Sequence, residues 1–397
     1  MQTHEFTIAG RHITTADPDW QLALAEARRT KVRPRCLCTR DGVEMYIASV
    51  GDHLIVKRMP MSGTGHAPGC DSYEPPPELS GLGQVLGAAI NEGTEETTLK
   101  LAFALTVSGA GSPPASESEP SDSVTADPAK LSMRATVHYL WEQAEFNRWV
   151  PAMAGKRSWS VVRRHLLAAA RGKMTKGAPL ASSLYLPEPW NDARKTELSA
   201  RRAQVMTAIS DTSKGRQKLL FVLAEVAAIA EGRLGWKMML AELPGFAFLL
   251  PDDLHKRMRK RFGVELELWE ADEQSRLIVA GTISANRAGV PTFHELTLMP
   301  VTENWIPYES VTDKLLLDHL TDHRRTFVKG LRYNLADAKA LAAAVLTDTT
   351  PATALYLASG DQQRQAVDEL IAESDVDSWV WDPTADLPAL PPASSRG

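Results

Sequence analysis

All three cysteines of the 397-residue chain lie within residues 36–70, together with a histidine four positions before the last of them. The apolar residues of 44–50 and 53–59 indicate two strands, and Gly51-Asp52 between them indicates a tight turn. A hairpin centred on that turn pairs positions whose numbers sum to about 103. The first two cysteines therefore lie opposite the histidine, at the open end of the hairpin.

Four potential metal ligands meet at this open end: Cys36, Cys38, His66 and Cys70. A spacing of two places Cys36 and Cys38 on one face of an extended strand, and the glycines and proline around His66 let the chain bend around an ion. Three thiolates and one imidazole fill a tetrahedral shell and leave no position for water, so the predicted ion is a structural Zn²⁺. The alternative is three reduced, buried thiols beside an unrelated histidine.

The length of the chain predicts two or three domains with ample core. Three cysteines are too few for a disulfide framework, and the N-terminus MQTHEFTIAG lacks the features of a secretion signal. The longest apolar run, 219–230, contains Glu225 and is shorter than the roughly 18 residues that a membrane-spanning helix needs. We therefore expect a cytoplasmic protein without a membrane segment.

The order of the expected elements predicts a multidomain α+β protein. Its expected parts are a β-rich zinc-binding N-terminal domain, a central winged-helix-like module and a C-terminal α/β domain. Two segments rich in proline and small or polar residues have little to bury, and we expect them to be disordered. The predicted divisions are a zinc-hairpin domain at 1–107, a flexible linker at 108–128, a basic winged-helix-like domain at 129–213, an α/β domain at 214–382 and a disordered tail at 383–397.

Hydrophobic periodicity predicts the individual elements. Beyond a first hairpin at 6–13, the expected helices are 17–29, 131–149, 158–173, 311–329, 337–345 and 362–373. The expected strands are 99–107, 219–226, 275–283, 293–299, 355–357 and 379–381. A Gly-Ala-Pro turn between short extended pieces at 174–187 is typical of a β-wing.

The central module has a strong excess of basic residues, with nine of them between Arg134 and Lys176 against only Glu142 and Glu145. A basic helix beside a basic wing favours binding to nucleic acid, most simply DNA. The predicted contacts are Lys156, Arg157, Arg163, Arg164, Arg171 and Lys173. The alternative is a solvated helix face, which is also our interpretation of the later run HKRMRKR at 255–261. Trp149 and Trp159 could stack on bases, but aromatic residues at helical spacing are usually packed in a core.

The sequence contains no standard catalytic motif. His319 and His323 are one helical turn apart but have no third ligand nearby in the sequence. Asp348 precedes an expected strand in the manner of metal-dependent nucleases, yet 355–357 reads Leu-Tyr-Leu, without the carboxylate and lysine that such chemistry needs. A turn or capping role explains Asp348 without a metal. We assign no catalytic residue.

Several segments together resemble the bacterial family known as domain of unknown function 1173, whose hallmark is three cysteines near the N-terminus. The segments are CLC with HAPGC, LWEQAEFNRWVPAMAGKRSW, LYLPEPW, HELTLMPVTENWIPYES and FVKGLRYN followed by VLTDTTPATALYL. The resemblance implies a gene of plasmids or integrative conjugative elements and supports the three cysteines as a set. We therefore expect a zinc-stabilised, nucleic-acid-binding accessory protein of a mobile element, with other proteins of that element as further partners. The alternatives are a nuclease-like enzyme acting through the C-terminal domain and an adaptor that binds only proteins.

Overall fold

The structure is a computed structural model that describes residues 4–50, 53–94, 96–108, 127–210, 216–233 and 235–394. Helices and several sheets occur together, which confirms a mixed α+β fold. The helices in the described residues are α1 Trp20–Arg29, α2 Leu82–Val85, α3 Met133–Gln143, α4 Trp159–Ala169, α5 Lys195–Ser210, α6 Asp252–Arg261, α7 Gly263–Glu270, α8 Val311–Asp322 and α9 Gly360–Ala372.

The strands of the same residues fall into five sheets. In chain order they are β1 Glu5–Ile8, β2 Arg11–Thr14, β3 Arg35–Cys36, β4 Val43–Val50, β5 His53–Arg58, β6 Ile90–Glu92, β7 Thr97–Leu99, β8 Thr106–Ser108, β9 Arg148–Trp149, β10 Lys173–Thr175, β11 Ala178–Pro179, β12 Leu184–Tyr185, β13 Arg216–Lys218, β14 Leu220–Gly232, β15 Gly235–Leu240, β16 Ala247–Leu250, β17 Arg276–Ala285, β18 Pro291–Val301, β19 Phe327–Lys329, β20 Ala344–Leu346, β21 Thr353–Leu357 and β22 Asp377–Trp381.

The N-terminal sheet has the strand order β2-β1-β3-β4-β5, and α1 packs on it through the buried residues Leu24 and Ala27. Strands β4 and β5 form the expected hairpin, and the numbers of paired residues sum to 103, as for Met45 with Arg58. The predicted turn at Gly51-Asp52 lies outside the described residues. Since period-two alternation fixes which side chains share a face, this register also fixes where the chain on either side of the hairpin goes.

The largest sheet has the order β12-β14-β15-β16-β18-β17, and β14 also pairs with β17. Strands β14 to β18 therefore form a closed ring in which β14 contacts both β15 and β17. The first half of β14, Leu220–Ala224, is almost completely buried, as expected for a continuous apolar run in a closed sheet. Helices α3, α5, α6 and α7 pack around β17 and β18.

The last sheet has the order β22-β21-β20-β19-β9. Two predictions fail here. The expected helix 337–345 is wrong, because 344–346 form β20, which pairs with β19 and β21. Its alanine-rich composition favours a helix, but both flanking strands offer backbone partners and the strand is fully buried. The expected helix 311–329 ends at Asp322, and its last residues form β19.

Strand pairs link the segments on either side of the expected domain boundaries, namely β8 with β13, β7 with β10 and β9 with β19. One apolar core includes residues from Val85 to Tyr333. The division into separate domains stays a prediction, and so does the linker, since 109–126 lie outside the described residues. In contrast to the expected disorder, 383–394 run along the last sheet, where Leu387 and Leu390 pack against its core.

Candidate metal centre

Cys36 is held by strand pairing on both sides. It is the last residue of β3, opposite Phe6 of β1 and Val43 of β4. Its side chain is only 4% exposed and belongs to the core under the N-terminal sheet. The sulfur therefore has a fixed position before any ion binds.

The other side of the centre is a compact loop after β5. His66 follows a 3-10 turn at Gly63–Gly65, and the Cys70 amide donates to the carbonyl oxygen of Ala67. Gly63 is required for close packing, since a Cβ atom there would lie 2.6 Å from the Cβ of Glu74. The loop thus brings His66 and Cys70 back over the end of β3.

The ligand atoms of Cys36, Cys38, His66 and Cys70 all lie within 4.8 Å of one another. The Sγ atoms of Cys36 and Cys70 are 3.8 Å apart. The Nδ1 atom of His66 is 3.3 Å from the Sγ of Cys38 and 3.7 Å from the Sγ of Cys70. Metal bonds of about 2.3 Å to sulfur and 2.0–2.1 Å to nitrogen give tetrahedral edges of about 3.8 Å between sulfurs and about 3.6 Å between sulfur and nitrogen. The three distances agree with this tetrahedron within a few tenths of an ångström.

The thiols differ in their protonation. Hydrogen bonds from Cys36 and His66 lower the pKa of the Cys70 thiol to about 3, although burial opposes this shift. The hydrogen bond to Cys70, together with burial, raises the pKa of the Cys36 thiol. Burial is also the main cause that raises the pKa of the Cys38 thiol. The cluster therefore holds one thiolate readily, and a cation at its centre would deprotonate the other two thiols.

His66 is 3% exposed, and its Nε2 atom has no hydrogen-bond partner in the described part of the chain. Its Nδ1 atom faces the sulfurs, so Nδ1 is the nitrogen available to a metal. The structure thus brings together the four residues that the sequence predicts, in a geometry compatible with a metal ion. Such a closed set of four protein ligands suits a structural metal, because no position remains for a reacting water.

The six predicted nucleic-acid contacts divide into two groups. Lys156, Arg164 and Arg171 are exposed, and within the described ranges their side chains make no ion pair or hydrogen bond. Arg157, Arg163 and Lys173 are half-buried and hydrogen-bond to the protein itself. Lys176, outside the predicted set, is also exposed on the turn between β10 and β11.

Arg157 shows why a basic residue need not be a phosphate contact. Its guanidinium donates to the carbonyl oxygens of Phe146 at 3.1 Å and Asn304 at 2.9 Å, and also to that of Arg148. The group lies 5.2 Å from the ring centroid of Phe146 and 5.5 Å from that of Trp149. Burial lowers its pKa to about 10, so it is charged at neutral pH. Arg157 joins the end of α3 to the turn after β18.

The other two half-buried cations also donate hydrogen bonds to the protein itself. The Nε of Arg163 donates to the carbonyl oxygen of Leu186 at 3.0 Å. The Nζ of Lys173 donates to Thr97 at 3.1 Å and Gln143 at 3.0 Å, and it lies 5.1 Å from the ring centroid of Tyr139. Their charges therefore face the interior or a cavity.

The aromatic and histidine candidates are structural. Trp149 and Trp159 are 2% and 5% exposed, which confirms that they are core residues. The His323 ring contacts the backbone carbonyl of His319. Within the described residues, these two histidines belong to no group of side chains close enough to hold a metal. In the 255–261 run, His255 stacks on Trp236 and its basic neighbours are exposed.

Asp348 forms an ion pair with an arginine. Its carboxylate accepts from both the Nε and an Nη of Arg325, at 2.9 and 2.8 Å, and from the Thr326 amide at 2.8 Å. The two side chains are 13% and 8% exposed. This bidentate contact explains the aspartate without a metal.

The sequence did not reveal a group of half-buried glutamates. Glu74, Glu92 and Glu142 line one cavity with Arg58 and Lys173. The signal for Glu142 was present, since it follows directly on the apolar stretch of α3 that ends at the fully buried Trp141. An acid beside buried residues usually has a specific partner.

The family described as protein of unknown function (DUF1173) matches residues 6–384. The chain belongs to this family. Neither the curated proteins nor the solved structures contain a match to the chain. Among the helices of the described residues, none combines the length and apolar character needed to cross a bilayer.

Proposed function

We propose that the DUF1173 chain binds one structural Zn²⁺ through Cys36, Cys38, His66 and Cys70, and binds nucleic acid through an exposed cationic surface. The choice of zinc rests on the ligand chemistry. Three sulfurs and one imidazole nitrogen at tetrahedral spacing suit Zn²⁺, whereas Mg²⁺ and Ca²⁺ prefer oxygen ligands. The ion would link the loop after β5 to the end of β3, and so stabilise the N-terminal sheet.

The surface is the group of exposed cations Lys156, Arg164, Arg171 and Lys176, which we call the α4 surface. The observation that carries the proposal is that these four side chains are exposed and make no ion pair or hydrogen bond with any described residue. Cations without a protein partner can release counterions from a phosphate backbone, which is the main source of affinity for nucleic acid. Duplex DNA is the target that we propose.

The biological setting belongs to the same proposal. The resemblance noted from the sequence favours an accessory role on a plasmid or conjugative element, in the cytoplasm, with other proteins of that element as partners. The order helix, helix and short hairpin from α3 to β11 supports a winged-helix-like use of this segment. A protein-only adaptor would use the same fold without any affinity for DNA.

The test is a salt series of DNA binding, measured by fluorescence anisotropy on duplex and single-stranded DNA. The test variant is Arg164→Glu with Arg171→Glu. The control is Arg29→Glu with Arg364→Glu, which changes the net charge equally at exposed arginines that are paired with Glu26 and Asp368. Loss of two phosphate contacts should reduce the slope of log K against log salt by about two. Equal binding by the two variants, or no binding by wild-type protein at low salt, would reject the proposal.

A further inference from the structure

A cavity of about 560 Å³ lies between the hairpin β4–β5 and the helix α3. Its lining includes Tyr46 and Arg58 of the hairpin, Glu142 of α3 and Lys173 of β10. The metal centre adjoins the cavity, since Cys36 and Cys70 also line it. Its volume is within the range of about 300–1,000 Å³ that is usual for small-molecule sites.

The walls carry a charged network whose members come from separate elements of the chain. Its half-buried members are Arg58, Glu74, Glu92, Glu142, Arg148 and Lys173. Arg58 forms an ion pair with Glu74, and Glu142 accepts a hydrogen bond of 2.9 Å from the Tyr333 hydroxyl. Burying so many charges costs free energy. Such clusters are frequent at functional sites, where the function accounts for their presence.

The unused hydrogen-bonding capacity of the walls indicates the ligand. Arg58 donates only to Glu74, and Arg148 only to the carbonyl oxygen of Tyr73, so far as the described residues go. Lys173 uses two of its three donors. Most of the guanidinium N–H groups therefore remain available, and they outnumber the free carboxylate oxygens of Glu74, Glu92 and Glu142. A ligand rich in acceptor oxygens satisfies this excess.

We propose that the cavity binds the terminal phosphate of a phosphomonoester, held by Arg58, Arg148 and Lys173. Arginine forks match phosphate oxygens in pairs, and the lysine adds a point charge. The volume accommodates a mononucleotide, and the same chemistry would hold the 5′-phosphate of a nucleic acid strand. The α4 surface has no part in this site, because none of its four side chains lines the cavity.

The protonation states support an anionic ligand. Burial first, and then the charges of Glu74 and Glu92, raise the pKa of Glu142 to about 8, although Arg58 and the Tyr333 hydroxyl oppose the shift. Burial, with Lys57 and Arg58, lowers the pKa of Lys173 to about 8, and Glu92 opposes this. At neutral pH the first group is a neutral donor and the second is largely cationic. A phosphate raises the pKa of both groups, so binding near pH 8 takes up protons, and affinity falls as the pH rises above 8.

The experiment is isothermal titration calorimetry of the full, metal-replete chain with inorganic phosphate, with AMP and with 5′-phosphorylated and 5′-hydroxyl oligonucleotides. Runs at pH 8 in two buffers of different ionisation enthalpy measure proton uptake. AMP should bind more than ten times as tightly to wild type as to Lys173→Met, and Lys173→Arg should recover part of the affinity. Glu142→Gln should bind AMP with less proton uptake. Arg164→Glu with Arg171→Glu should bind AMP as wild type does, even if DNA binding is lost.

The oligonucleotides identify the source of the phosphate. If the chain binds AMP but neither oligonucleotide, the ligand is a mononucleotide. If the 5′-phosphorylated oligonucleotide binds more tightly than the 5′-hydroxyl one, the ligand is the end of a strand. The proposal is overturned if wild-type protein binds neither phosphate nor AMP at millimolar concentration, or if folded Lys173→Met binds AMP equally well. Should that variant fail to fold, AMP binding by wild type without proton uptake at pH 8 would contradict the proposed site.

Discussion

Replacing Asp348 by asparagine should strongly destabilise the C-terminal sheet, because the residue is half of a nearly buried ion pair. Arg325 reaches both carboxylate oxygens through two N–H groups, and the Thr326 amide adds a third donor. Asparagine keeps the shape but removes the charge and one acceptor. Arg325, only 8% exposed, would then hold an uncompensated charge.

Removing one partner of a buried pair costs about 3–5 kcal/mol, so we expect a loss of that order in the free energy of unfolding. The control is Asp368→Asn, which breaks the exposed pair with Arg364 and should cost less than about 0.5 kcal/mol. Replacing both members of the buried pair, as Asp348→Leu with Arg325→Met, should recover much of the loss, because no charge is left unpaired.

Urea unfolding followed by tryptophan fluorescence gives these free energies, with Trp381 as a reporter within the affected core. A loss below about 1 kcal/mol in Asp348→Asn would refute the reasoning, since a buried pair cannot be that weak when broken on one side. The same variant separates a structural from a catalytic aspartate. DNA cutting by wild-type protein in magnesium or manganese that disappears in a folded Asp348→Asn would favour the nuclease-like alternative.

Three further predictions follow from local geometry. Cys38→Ser should lose most of the bound zinc, and its N-terminal hairpin should unfold at a lower temperature than that of wild type. Metal analysis and calorimetry measure the two effects. If wild-type protein melts at the same temperature with and without metal, the ion is not structural. Gly81→Ala should destabilise the protein, because the added Cβ atom would lie 1.8 Å from the Arg332 carbonyl oxygen. Gly263→Ala is the control, since a Cβ atom there meets nothing within 4 Å. Equal urea midpoints for the two variants would contradict this prediction. The pKa of Glu142 is raised, so the folded state keeps this proton up to about pH 8, whereas the unfolded state releases it near pH 4.5. The free energy of unfolding should therefore fall by up to about 1.4 kcal/mol per pH unit between these two values. Glu142→Gln should flatten the curve of unfolding free energy against pH.

The metal centre could be predicted from the sequence because its geometry is local. The predicted register, in which paired numbers of β4 and β5 sum to 103, is the one observed, and it brings Cys36 and Cys38 to His66. The same reasoning places α1, α3, α4, α8 and α9 and the long strands β14, β17 and β18, since their periodicity is strong. What failed depends on distant partners. Residues 344–346 prefer a helix by composition but are paired on both sides, and the ring formed by β14 to β18 depends on the contact of β14 with β17, far apart in the chain.

For a related reason, charge counting could not show which of the predicted phosphate contacts hydrogen-bond to the protein itself. A sequence shows how many cations a segment has, but not whether a carbonyl oxygen lies within reach of each one. Arg157 is the clearest case, because its donors are used by backbone groups from two distant segments. The cavity around Glu142 and Lys173 was missed because its residues come from many separate segments, and no short motif contains them.

X-ray absorption at the zinc edge of the purified, metal-replete chain tests the central claim most directly. We predict one zinc per chain with three sulfur neighbours at about 2.3 Å and one nitrogen neighbour at about 2.0–2.1 Å. His66→Ala should replace the nitrogen neighbour or abolish binding, whereas the exposed His12→Ala should leave the spectrum unchanged. A first shell of oxygen and nitrogen only, or a folded chain that binds no zinc, would contradict the Cys3His centre.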